Sequence, residues 1–339
     1  MTSLPDALEG ASKKLEIFPW HYNLLTRLSD LKNQNRIPHA ILIDSKTHSD
    51  AESFTTYLST LLLCDNNNGY QICGQCKSCR GMQSGSYSNF KLITILYDEK
   101  KKKINKNINI EQIRKVIYDI NLSPNYDNYN VVAIYPAEKM GREAANSLLK
   151  TLEEPGKQAV IILHTSNKGL LPVTIRSRCQ IWNLKCPDNE SGLDWLKQQG
   201  LSETDAIHYL QLSMGDPLLA KKMAEDNYSE IVESFKISFS AFLKGRSEVT
   251  ALVNELTKYQ PDVIRRLIDR VVTAYCYRFC GLDSEGNDQA TTNRSKAMAM
   301  FELYSIVFKR LAVEDNNLDL HLQLEDVLIS IKQILRTQD

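Results

Sequence analysis

The chain has 339 residues, enough for two or three cores, and its 41 Lys and Arg balance 41 Asp and Glu. No net positive field would hold it on DNA or a membrane by itself, and no apolar run approaches the roughly 20 residues of a spanning helix. The first 18 residues lack a signal-peptide core, so a cytoplasmic, reducing location is expected, where eight cysteines point to metal or buried thiols before disulfides.

Residues 1–16 carry Pro5, Gly10 and Lys13-Lys14 without an apolar period and read as a flexible tail. His21 to Lys32 reads as an amphipathic helix with Leu24, Leu25, Leu28 and Leu31 on one stripe. The apolar run from His39 to Ile43, ended by Asp44, fits a buried parallel strand. Ser49 and Glu52 form a capping box for a helix carrying Phe54, Leu58, Leu61 and Leu62.

After a cysteine-rich interruption, strand is expected at Phe90–Tyr97, helix at Ile110–Ile120 and a third strand at Val131–Tyr135. A helix from Arg142 to Glu154 follows, stopped by Pro155-Gly156, and Val160–His164 returns as a fourth strand. Strands alternating with helices predict an α/β domain with a mostly parallel sheet, ending near Pro187. Leu193–Leu212 and Pro217–Ala224 suggest a small helical domain. Tyr228–Leu243, Val249–Tyr259, Pro261–Cys280, Arg294–Ala312 and Leu320–Leu335 are helical beyond it, with 281–292 a polar loop.

Cys64, Cys73, Cys76 and Cys79 fall within 16 residues, while Cys179, Cys186, Cys276 and Cys280 are scattered among apolar neighbours as buried thiols. Four thiolates on short loops suit one tetrahedral zinc ion and close its coordination shell, so the metal is expected to brace an insert and do no chemistry. An iron–sulfur cluster stays open as an alternative. A redox pair at Cys73 and Cys76 would leave the other two cysteines unexplained. Lys77 and Arg80 alone flank the cluster, a weak patch for nucleic acid.

The junction from Asp44 to Asp50 occupies the place of a phosphate-binding loop, but no glycine occurs from Ala11 to Asn68 and two carboxylates stand where phosphate charge would lie. Lys46-Thr47 is a chance match to that motif. The third strand ends in Tyr135-Pro136 instead of the acidic pair that holds magnesium, and Glu138 is displaced by three positions. ATP hydrolysis by this chain is not expected.

The cysteine insert, residues 144–155 reading AANSLLKTLEEP, Ile175-Arg176-Ser177-Arg178-Cys179 after Thr165, Phe18-Pro19-Trp20 and residues 36–42 reading RIPHAIL together carry a resemblance. The chain resembles the delta-prime family of bacterial DNA polymerase III clamp-loader subunits over residues 17 to about 226, and more loosely beyond.

The resemblance implies an AAA+-type, P-loop-like α/β domain at 17–186 with its four-cysteine zinc insert at 64–79. A helical lid domain at 187–227 and an all-α collar domain for oligomerisation at 228–339 would follow. It implies the gamma/tau motor subunits and a delta subunit as partners in a hetero-pentamer that places a sliding clamp on primed DNA, with this chain as the rigid stator. Ser177-Arg178-Cys179 matches the motif whose arginine reaches ATP held by the adjacent motor, which makes Arg178 the candidate trans-acting arginine finger.

Thr165 occupies the family's sensor position but is assigned only local backbone contacts. Lys100–Lys103 with Lys106 form a basic loop, a solvated run or a contact to DNA phosphates. Two other functions compete: an active motor ATPase of the gamma/tau type, and a zinc-bearing nucleic-acid-binding module that would bind DNA alone in a salt-sensitive way.

Overall fold

The computed structural model describes residues 15–45, 50–98, 103–105, 107–122, 128–156, 158–185, 187–259, 261–279, 305 and 320–336. Most of the expected tail, Lys46 to Ser49, Lys100 to Lys102, Lys106, Cys186, Cys280, the 281–292 loop and all but Ser305 of the 294–312 helix lie outside them, as does the side chain of Cys276. The chain divides into two compact units, Met1–Lys222 and Met223–Asp339.

The first unit is built on five parallel strands, β1 (Ala40–Ser45), β2 (Phe90–Ile93), β5 (Asn130–Ile134), β6 (Ala159–Thr165) and β7 (Gln180–Leu184). Across the sheet they run β2-β5-β6-β1-β7, so the first strand lies inside and its neighbours arrive last. The connection from β1 therefore runs across the sheet toward β2, while the one from its neighbour β6 runs the opposite way to β7. In open α/β sheets such a switch point, at the carboxyl ends of the strands, is where ligands bind.

One sheet face packs Ile41, Ile43, Val131, Val160, Ile162 and Trp182 against α1 (Tyr22–Asn33) and α2 (Ala51–Leu63). The other face packs Leu42, Val132, Ile134, Ile161 and Leu163 against α4 (Ile110–Leu122) and α5 (Arg142–Glu153). Successive strand residues point to opposite faces, so a doubly covered strand must be apolar throughout. All seven residues of β6 are buried, which is why its first five, Ala159 to Leu163, read as a continuous apolar run.

Three expectations need correction. The strand from Phe90 stops at Ile93: the Thr94 carbonyl accepts the Gln112 side chain (2.9 Å), and Tyr97–Asp98 (β3) instead pairs with Lys103–Ile104 (β4) in a separate ribbon. The fifth strand escaped the sequence reading because β7 is an edge strand in which only Trp182 and Leu184 are buried, too little apolar alternation to stand out. The expected Leu193–Leu212 helix is two helices, α7 (Asn189–Gln198) and α8 (Glu203–Leu212). Gly200 at φ +95 breaks it and the Ser202 side chain caps the second.

These two helices and α9 (Pro217–Glu225) enclose Trp195, Leu196, Ala206, Leu210 and Ala220, joined by Phe18 from the N-terminal segment. Phe18 and Trp20 meet Trp195 edge-on with ring centres 5.6 and 5.8 Å away. The second unit is helical among its described residues: α10 (Tyr228–Leu243), α11 (Val249–Leu256), α12 (Pro261–Phe279) and α13 (Leu320–Arg336). Phe235, Phe239, Leu252, Leu256, Ile264, Leu267, Leu324 and Leu328 are buried there.

Candidate functional site

Cys64 leaves the C-terminus of α2 in extended conformation, and Cys76 caps α3 (Lys77–Gln83), whose first turn carries Cys79. Gly74, at φ +70, permits the tight turn after Cys73. The four sulfurs lie within 4.8 Å of one another, with Cys73 and Cys79 3.9 Å apart. Thiolates at about 2.3 Å from a tetrahedral ion stand about 3.8 Å from each other, so the donor set fits one metal ion.

Backbone N–H groups of Cys73, Cys76 and Cys79 point at the sulfurs of Cys64, Cys73 and Cys76 at 3.3–3.4 Å. Such donors favour the thiolate, and N–H groups of Gln75 and Cys76 pull Cys73 down to about 6. Burial pushes the Cys64 and Cys79 thiols up. A divalent cation would offset that burial cost.

Lys32 is a part of this centre that the sequence reading missed, since it looked like the polar end of an amphipathic helix. Its ammonium donates to the carbonyls of Leu61 (3.1 Å) and Cys64 (2.5 Å) and to Asn67 Oδ1 (3.1 Å), closing the open end of α2 where the cysteine loop begins. Burial lowers its pKa, opposed by the nearby thiols and Asp65. Replacing Lys32 with Met is expected to cost about 2–3 kcal/mol, the value of a charged hydrogen-bonding group lost from a half-buried site. Urea unfolding would measure it, and a loss below about 0.5 kcal/mol would remove Lys32 as a strut.

At the switch point after β1, the N-cap of α2 is Asp50, not the expected Ser49. The Asp50 side chain is 3% exposed, and its Oδ2 meets His21 Nε2 at 2.6 Å and accepts from Trp20 Nε1 at 3.2 Å. Oδ1 has no hydrogen-bond partner among the described residues. A helix N-terminus attracts negative charge, but the Asp50 side chain makes no capping bond to α2 and turns instead to His21 and Trp20, leaving a buried carboxylate beside that terminus.

More negative charge gathers beside it. Glu138 accepts from Ser166 Oγ at 2.7 Å, and the Tyr135 phenol is pushed up to about 12 by burial and by the carboxylates of Glu138, Glu52 and Asp50. Asp44 pairs with Lys168 at 2.9 Å. Thr165 is buried, and its hydroxyl accepts the N–H of Asn167.

Burial raises the Asp50 pKa, but the His21 and Trp20 contacts outweigh it and hold the carboxyl below its ordinary 3.8. A depressed folded-state pKa contributes stability that is full above the unfolded value and lost as pH falls through the folded one. Asp50→Asn is thus expected to cost about 2 kcal/mol at neutral pH, a difference that shrinks only as pH falls below 3.8 and the folded-state carboxyl takes up its proton. Chemical denaturation across pH would show it; a difference that does not shrink below pH 3.8 would rule out a stabilising Asp50 carboxylate.

Arg178 follows α6 (Val173–Arg176). Each motif residue has a distinct setting: Ser177 Oγ donates to the Thr174 carbonyl (3.2 Å), and Cys179 packs against the α4–α5 core, its thiol pushed up to about 11 by burial. The Arg178 side chain is 33% exposed, paired with Glu153 at the end of α5 and donating to the Thr174 carbonyl at 2.9 Å. Leu170 and Val173, each 67% exposed, precede it in the chain.

The family model described as DNA polymerase III, delta subunit, matches residues 20–188. The chain is 30% identical over 237 residues to the DNA polymerase III subunit delta' of Haemophilus influenzae, covering 70% of each chain. It is 31% identical over 256 residues to the subunit of the same name from Yersinia pestis, covering 74% of this chain and 73% of that one. Among solved structures, a DNA polymerase III gamma subunit-related protein from Thermotoga maritima shares the fold at TM-score 0.53 and 22% identity, over 90% of this chain and 98% of the other.

Proposed function

The chain belongs to the DNA polymerase III delta-prime family, and from that premise we propose that it is the non-hydrolysing stator of a clamp loader, offering Arg178 to ATP on a neighbouring motor subunit. The observation that carries this reading is the carboxylate-filled switch point. Asp50, locked by His21 and Trp20 at the start of α2, puts a buried carboxylate beside the N-terminus where nucleotide phosphates would have to approach, and with Glu52 and Glu138 it adds negative charge around Tyr135. Phosphate charge brought there would meet repulsion without the glycine-lined amides that normally cradle it. Arg178, by contrast, keeps its side chain one-third exposed beside Glu153.

In this reading one zinc ion is held by Cys64, Cys73, Cys76 and Cys79, whose four sulfurs leave no ligand position open, and its contribution is structural. Residues 187–227 serve as a helical lid and 228–339 as the oligomerising collar. The partners are gamma/tau motors and a delta subunit, acting on a sliding clamp and primed DNA in the cytoplasm.

The test is reconstitution with motor and delta subunits and a clamp. The isolated chain should turn over no ATP above background, while omitting it from the mixture should abolish loading of labelled clamp onto primed DNA. ATP hydrolysis by the isolated chain that disappears on changing Lys46 would overturn the reading in favour of a motor.

A further inference from the structure

A guanidinium carries five N–H donors in a rigid planar fork, so the groups that hold some of them decide where the rest point. In Arg178, Nε donates to Glu153 Oε1 at 2.7 Å and Nη2 reaches the same oxygen. Nη1 donates to the Thr174 carbonyl at 2.9 Å and lies 3.5 Å from Ser177 Oγ. The inner edge of the fork is thereby pinned, leaving for an outside acceptor the second N–H of Nη2 and an Nη1 N–H engaged only by the long 3.5 Å contact to Ser177 Oγ.

The pin is itself mounted firmly. Glu153 is the last residue of α5, and the carbonyl of Leu152 beside it accepts the His39 ring Nε2 at 3.0 Å, tying that helix end to the segment entering β1. Leu152 is 1% exposed, and α5 lies on the sheet through Ala145 and Leu148. The Glu153 side chain is 51% exposed. An ion pair in that setting contributes little to stability, so folding is not what the contact chiefly serves.

We propose that Glu153 is a positioning residue that fixes the plane of the Arg178 guanidinium so that its outer N–H pair faces the phosphates of a nucleotide bound by the adjacent subunit. The proposal rests on the role assigned above to Arg178. An unpinned arginine would spread over many rotamers and would have to be ordered during the reaction, whereas a pinned one has lost that freedom on folding. Binding of ground-state ATP needs little from the fork, so the benefit falls on turnover.

The test uses the reconstituted clamp-loader complex with DNA-stimulated ATP hydrolysis as readout, after gel filtration shows intact assembly. Glu153→Ala should lower kcat about tenfold and leave the KM for ATP within about twofold, the pattern of an interaction used in the transition state. Glu153→Gln, which keeps an acceptor oxygen, should recover at least half of the loss. In an Arg178→Ala background, Glu153→Ala should change nothing further.

A faster Glu153→Ala complex would mean that the carboxylate restrains Arg178 from ATP, overturning the proposal, as would an equal slowing in the Arg178→Ala background or a change confined to KM. If Arg178→Ala alone has no effect, the arginine-finger reading fails. If Arg178→Ala slows turnover and Glu153→Ala does not, only the positioning role fails.

Discussion

Arg178→Ala in a reconstituted clamp loader is expected to slow ATP hydrolysis at the adjoining motor site by about 10³-fold or more, the lower end of what trans-acting arginines supply. Assembly should be unchanged. The side chain is one-third exposed, so its removal leaves no cavity, and the exposed pair with Glu153 is worth about 0–1 kcal/mol. What disappears is charge stabilisation of the transferring phosphoryl group, together with the fork geometry. Arg178→Lys should recover little of it, because an ammonium supplies a point charge without two parallel donors. Single-turnover hydrolysis and clamp loading on primed DNA would measure the effect, and an unchanged rate would take Arg178 out of the mechanism.

Loss of the metal should have the second large effect, confined to one region. Cys73→Ala, or chelation of the parent chain, is expected to take bound zinc from about one ion per chain to near zero. Between Asp65 and Ser88 few apolar side chains are fully buried, Met82 chief among them, and a handful of hydrogen bonds such as Lys32–Asn67 and Tyr57–Tyr70 tie the loop to the helices, so the metal is expected to supply much of its closure. Losing about 3 kcal/mol of local stability would raise the open population about 100-fold, and cleavage by a protease acting on that form would rise in proportion. The sheet should survive, since α1, α2, α4 and α5 supply most of its cores, to which the insert adds only Met82 and the partly buried Tyr70, Ile72 and Tyr87. Elemental analysis, limited proteolysis and far-UV circular dichroism test the three parts. Zinc-free protein as resistant as the parent would end the bracing role.

Much of the fold was readable because its central strands are buried on both faces. Residues 40–43, 131–134 and 160–163 are apolar for that reason, and Leu148 and Leu152 repeat at helical spacing because α5 covers the sheet with one stripe. β7 was less legible, because half of an edge strand faces solvent and its polar residues dilute the pattern. The start of α4 carried a signal that went unread: Asn109 and Gln112 cap each other reciprocally, a polar version of the Ser/Thr-x-x-Glu box.

The same distinction holds for the sites. Spacing alone nominated Cys64, Cys73, Cys76 and Cys79, because short loops bring nearby cysteines together whatever the rest of the chain does. Missing glycines and misplaced acids were likewise enough to argue against a nucleotide site, as both requirements are local in sequence. Lys32 lies 32 residues before the first cysteine, Asp50 lies 29 residues after His21, and Glu153 lies 25 residues before Arg178. No periodicity links such pairs. Strand order and helix packing bring them together, so the sequence by itself determined which residues could do the chemistry, and only the tertiary structure decided which distant groups hold them in place.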